Sequence, residues 1–178
     1  MSKVSTLRST DHTRGSICAP LLLTKYGSYL CPRSAEAHLT VQNIRQSLGD
    51  RLCFVFRHFP EEEKYPRAFF IAEAAEAAGA QGKFWEMHDR LFDNQKFLDD
   101  ASVVELADEI DLEVPRFLRE VGQHVYAQRV QSDIDQGVKD GVETSPTFFI
   151  SVRHDGKEGL EPIVQQILDV VLNSSVKQ

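Results

Sequence analysis

The chain has 178 residues, 42% of them hydrophobic, which is enough apolar side chain to bury a core in one domain or in one domain carrying an insertion. Its formal charge of -7 comes with no dense run of Lys and Arg, so the basic stripe of a nucleic-acid or anionic-membrane surface is missing, and no apolar run reaches the roughly 20 residues of a membrane span. Three cysteines, Cys18, Cys31 and Cys53, are an odd number at unrelated spacings, which argues against a disulfide framework and for a reducing compartment.

Residues 1–19 are polar throughout and read as an irregular leader without the apolar stretch of a secretory signal, so a cytoplasmic location is expected. Leu21 to Tyr26 is a short apolar run that fits a buried strand, broken by Gly27 and Ser28. From Pro32 to Leu48 the residues Ala35, Leu39 and Ile44 recur at near-helical spacing, Pro32 suits the first turn, and Gly49-Asp50 closes the helix. Leu52 to Phe56 is a continuous apolar, β-rich run of the kind buried on both faces of a mostly parallel sheet.

Five helices are expected next. Pro66 to Ala78 is Ala-rich and ends at Gly79, and Phe84, His88 and Leu91 mark a second face. Asp100 is placed to cap a third helix with Val103, Leu106 and Ile110, Pro115 opens a fourth, and Tyr126, Val130, Ile134 and Val138 step by four along a fifth. Five such helices call for a core of their own. After Gly141, Thr147 to Ile150 is a strand candidate, His154-Asp155-Gly156 a turn before a return strand, and Leu160 to Val171 a final amphipathic helix. The pattern is therefore α/β at both ends (20–60 and 141–178) with a helical insertion over 61–140.

Cys31 lies between the first strand and a helix starting at Pro32, so its sulfur faces the unpaired N–H groups of that helix, a position that favours the thiolate. Arg33 puts a cation in the first turn, against the helix dipole, which is best explained by an anion beside it. Cys53, between Leu52 and Phe54, reads as inert packing, and Cys18 as an unconstrained leader thiol. The six histidines show no ligand spacing with the cysteines, so no metal is expected, and His38 and His58 read as structural or solvated.

Asp11-His12, Gly15, Tyr26 to Ser34, Val55 to Pro60, Ala72 to Gly79, Gln81 to His88 and Thr144 to Ile150 together resemble consecutive landmarks of the DsbA-like thioredoxin family, over about residues 11 to 170. The resemblance implies a thioredoxin fold interrupted by a helical domain, with Cys31 as nucleophile in Cys31-Pro32-Arg33-Ser34 and a cis peptide bond at Ser145-Pro146. It further implies that Thr144, Ser145 and Pro146 shape the substrate groove. Two departures stand out: Ser34 replaces the second cysteine, and Lys25 replaces the buried acid that family members carry six residues before the first. Ser28 and Leu30 stand where relatives often have acidic residues.

One thiol without an internal partner forms a mixed disulfide that a second thiol must resolve. The leading expectation is thus monothiol exchange or deglutathionylation on protein or small-molecule disulfides, with Cys31 attacking, Arg33 and Lys25 favouring the thiolate and Ser34 donating to the sulfur or capping the turn. Glutathione is the implied cosubstrate and no tightly bound cofactor is expected; no feature fixes an oligomeric state. The alternatives are a degenerate binding or regulatory module and, more weakly, glutathione conjugation as in the kappa-class transferases, which have Ser at the first motif position.

Overall fold

The computed structural model describes residues 6–153 and residue 165. The expected turn at 154–156 and final helix at 160–171 lie outside the described residues. In chain order the elements are β1 (His12–Arg14), β2 (Leu21–Gly27), α1 (Pro32–Leu48), β3 (Leu52–His58), α2 (Ala68–Gly79), α3 (Phe84–Asp93), α4 (Asp100–Glu109), α5 (Val114–Gly122), α6 (Ala127–Asp140) and β4 (Thr147–Val152). The described strands form one sheet in the order β1-β3-β2-β4, with β2 and β3 parallel and β1 and β4 antiparallel to their neighbours.

The apolar runs at Leu21 and Leu52 become the two central strands, and every residue of β3 is buried. On one face Leu21, Leu23, Phe54 and Phe56 pack with Val41 and Leu48 of α1 and with Ile71, Ala74, Phe84, Met87 and Leu91 of the helical segment. The five helices therefore do not build a separate core: Ala-rich α2 lets them close directly onto the sheet, and one continuous cluster serves both parts. On the other face Tyr26, Phe59 and Val142 pack with Ile134 and Phe149. Gly137 of α6 permits this approach, because a Cβ there would stand 2.9 Å from the Phe59 ring.

Several local expectations change. The leader contains β1, three polar residues that pair with Phe54 to Phe56, and Gly15 ends it with φ +95° where a Cβ would meet the Leu52 carbonyl at 2.3 Å. The cap of α4 is Asp99, not Asp100: its carboxylate accepts from the Ser102 N–H while the Ser102 hydroxyl accepts from the Asp99 N–H. Leu39 and Val138 are exposed; Ala35 and Ile44 pack partly buried against the core as expected, beside the buried Ser34, His38, Val41 and Leu48 of α1.

The segment before β1 is anchored by a buried ion pair. Arg57 Nη2 donates to Asp11 Oδ2 at 2.8 Å and to the Thr6 carbonyl at 2.6 Å, and Arg57 Nη1 donates to the Tyr26 hydroxyl at 2.9 Å. Both partners are out of water, so removing Asp11 takes the nearest carboxylate from a buried guanidinium and leaves it the longer contact to Asp140 at 3.7 Å. Asp11→Ala is expected to destabilise the protein by about 3 to 5 kcal/mol, read as a lower urea midpoint with an unchanged slope.

Candidate functional site

The site forms where β2 and β3 end. The Phe59 N–H donates to the Gly27 carbonyl at 2.8 Å, keeping the two strand ends together, and residues 28 to 31 turn through a Cys31 N–H to Ser28 carbonyl bond of 3.2 Å. Cys31 is extended (φ -82°, ψ 118°) and is the N-cap of α1, with Pro32 in the first turn, as expected. Its carbonyl accepts from the Ser34 and Ala35 N–H groups at 2.9 and 3.2 Å. The side chain is 5% exposed, and its thiol donates to the Ser145 carbonyl at 3.3 Å across the Ser145-Pro146 bond, which is cis.

Ser34 occupies the fourth motif position, fully buried. Its hydroxyl oxygen accepts from the Ser28 N–H at 3.3 Å, so it braces the turn and is not seen donating to the sulfur. Pro32 and Arg33 are exposed on the first turn of α1. Cys53 lies on a buried strand and burial pushes its thiol up, in keeping with a packing role; Cys18 is exposed.

Lys25 is the most unusual residue of the site. Its place on β2, on the same face as Leu21 and Leu23, puts the side chain into the core with no exposure at all. Nζ donates to the Ser34 carbonyl at 2.8 Å and lies 4.4 Å from the centre of the Phe92 ring. Burial pulls its pKa from 10.5 to about 7, and attraction to the Cys31 thiolate opposes that shift. At neutral pH this amine is thus poised between its two forms.

Two further contributors carried no signal in the sequence. Gln95, in the loop between α3 and α4, donates through Nε2 to the Tyr29 and Cys31 carbonyls at 2.6 and 2.9 Å, tying the helical segment to the thiol turn. Glu61 accepts from the Ser145 hydroxyl at 2.7 Å, the Ser145 N–H at 3.3 Å and the Thr144 hydroxyl at 3.1 Å. Burial would raise this carboxyl, but the bonds from Lys64 and Ser145 outweigh it and hold it below its usual range. Behind the site, the His38 and His88 rings pack tilted by 59° with centroids 5.3 Å apart, and the Tyr29 hydroxyl meets His88 Nδ1 at 3.0 Å.

Burial, with the Lys25 charge second, drops His38 to about 4, and burial holds His88 well below its usual value, so both rings are neutral at pH 7. His38, His88 and Asp89 offer three metal-ligating atoms within 4.8 Å, as do His58, Glu76 and Asp133. Protein partners already engage these groups: Gln42 meets His38 at 2.8 Å, Arg14 clamps Asp89 at 3.1 and 2.5 Å, and His58 meets Glu76 at 2.9 Å.

Among the described residues no helix is long and apolar enough to cross a membrane. The curated relatives include a Na(+)/H(+) antiporter NhaA 1 of Mycolicibacterium vanbaalenii, 38% identical over 149 residues that make up 82% of this chain and 24% of the antiporter. An NhaA 3 of Salinispora tropica is 32% identical over 168 residues, 94% of this chain and 26% of that protein. The chain spans about a quarter of the length of these relatives.

Among solved structures it is similar to oxidised BdbD from Bacillus subtilis (TM-score 0.73, 18% identity, 92% of this chain and 94% of that one). Alpha-DsbA1 of Wolbachia pipientis gives 0.72 at 18% identity, covering 96% of each chain. A thioredoxin-like oxidoreductase from Silicibacter pomeroyi gives 0.71 at 19%, covering 96% and 95%. A family model described as Thioredoxin matches residues 7–167. With that match spanning most of its length, the chain belongs to the thioredoxin family, and its fold is that of the DsbA-like oxidoreductases.

Proposed function

We propose that the protein carries out thiol-disulfide exchange with a single nucleophilic thiol, Cys31, and draws the second thiol from solution, glutathione being the chemical class that fits. The observation that carries this reading is the sulfur at the N-cap of α1, 3.3 Å from the carbonyl that precedes the cis-proline, with a serine hydroxyl in place of a second thiol at position 34.

The exchange balances without any other redox partner. The Cys31 thiolate attacks one sulfur of a substrate disulfide, a Cys31 to substrate S–S bond forms, and the other substrate sulfur leaves as a thiolate that takes up a proton. A glutathione thiolate then attacks the substrate sulfur bonded to Cys31, a glutathione to substrate S–S bond forms, and Cys31 leaves as the thiolate, so the oxidation passes to glutathione. Helix N–H groups of α1 and the Lys25 ammonium stabilise the attacking anion, and Arg33 adds positive charge at the rim. A reducing, cytoplasmic setting suits this scheme, since it supplies the second thiol. Ion transport, named for the longer relatives, is not carried over.

The second reading, a binding module without chemistry, draws on the 5% exposure of Cys31. Alkylation by neutral iodoacetamide separates the two. Exchange chemistry predicts that Cys31 is modified faster than Cys53 and that Cys53→Ala leaves its rate unchanged. A Cys31 that reacts only when the protein is unfolded by urea favours the binding module.

A further inference from the structure

An extended peptide docks by pairing its backbone with exposed main-chain groups, and on the exchange reading those beside the thiol are the N–H and carbonyl of Ser145, before the cis-proline. In this protein both groups of Ser145 are already taken. The carbonyl accepts the Cys31 thiol at 3.3 Å, and the N–H donates to Glu61 Oε2 at 3.3 Å. The same oxygen accepts the Ser145 hydroxyl at 2.7 Å, while Oε1 accepts from the Thr144 hydroxyl at 3.1 Å and from Lys64 Nζ at 2.5 Å.

Glu61 is held firmly from its own side. Pro60 precedes it, and its carbonyl accepts from the Lys64 and Tyr65 N–H groups at 3.0 and 2.8 Å. Its side chain is 11% exposed against 60% for Lys64, so the loose partner is the lysine and the enclosed one is Ser145. Once Cys31 enters a mixed disulfide its sulfur no longer donates, and the Ser145 carbonyl is released. The N–H is released only when Glu61 lets go.

We propose that Glu61 is a specificity-determining residue of the thiol site: its carboxylate stands in for the substrate backbone at Ser145 and selects extended disulfide peptides that carry a cationic side chain beside the reactive sulfur. The inference rests on the exchange reading above. A peptide carbonyl that takes the Ser145 N–H displaces a carboxylate, and a neighbouring ammonium or guanidinium compensates that carboxylate where it swings out. An acidic neighbour instead meets Glu61, with Glu62 and Glu63 exposed next to it in the chain and Glu143 exposed two residues before Ser145.

The test uses the full chain and two short peptides, each with one cysteine joined to a chromogenic aromatic thiol and flanked by Lys or by Glu. The wild type is expected to react about tenfold faster with the Lys-flanked peptide, and Glu61→Gln, which still accepts from Ser145, to narrow that ratio to about twofold. A ratio near one in the wild type, or a ratio that survives Glu61→Gln intact, overturns the inference. If neither peptide reacts with the wild type, the exchange reading falls instead. The serine versions of both peptides, titrated onto Cys31→Ser with and without Glu61→Gln, then decide the inference alone: a Glu61-dependent preference upholds it and equal binding removes it.

Discussion

Replacing Lys25 by Met is expected to stabilise the protein at neutral pH and to flatten its stability between pH 7 and 10.5. The folded state releases the Lys25 proton at about 7, whereas the unfolded chain keeps it to about 10.5. Between those values the unfolded state binds more protons, so the stability of the wild type rises with pH through the window; below pH 7 the full burial cost remains. A shift of that size corresponds to roughly 5 kcal/mol over the window. The substitution also removes the bond to the Ser34 carbonyl, a loss of about 1 kcal/mol, which leaves a net gain of about 4 kcal/mol near pH 7. Urea unfolding of both proteins at pH 6, 7, 8 and 9 checks the slope. The same variant is expected to attack disulfides several-fold more slowly at pH 6 to 7, because the cation that stabilises the Cys31 thiolate is gone. A gain in stability with a loss of rate is the pattern of a residue kept for chemistry.

The second large effect comes from restoring the dithiol. Ser34→Cys places a thiol on the first turn of α1 beside Cys31, and Lys25→Glu returns a carboxylate to the core behind it. Ser34→Cys alone gives a thiol next to a buried amine, able to resolve a mixed disulfide but without the family's proton acceptor. The double variant is expected to reduce insulin disulfides at least about tenfold faster than the wild type and faster than Ser34→Cys alone. Turbidity of insulin with dithiothreitol as the electron source reads this directly, and a double variant no better than the single one contradicts the role given to position 25.

Much of this was readable along the chain because the signals were local. The strands around Leu21 and Leu52 are apolar runs, and Pro32 and Gly49 bracket α1. What escaped was set by partners far away in sequence. His12-Thr13-Arg14 is polar and short, and becomes a strand only because His12 stacks on Phe84 at 3.4 Å and Arg14 reaches Asp89 and the Trp85 ring. The inward face of α1 mixes the apolar Ala35 and Ile44 with the polar Ser34 and His38 while Leu39 is exposed, so an apolar stripe finds only part of it. Lys25, Cys31 and Ser34 stood out by their place in a family motif, yet the burial of Lys25 against Phe92 depends on a helix some 60 positions later. Glu61 and Gln95 reach the thiol loop through single side chains from unrelated segments, and no spacing marks them.

The central claim is that Cys31 alone exchanges with disulfides. Incubating the protein with oxidised glutathione at pH 7 and mapping the adducts by mass spectrometry tests it most directly. The account predicts one rapid glutathionyl adduct on Cys31, none on buried Cys53, no internal disulfide, and release of the adduct by reduced glutathione. A Cys31 that stays unmodified in the folded protein, or that is recovered joined to Cys18, contradicts it.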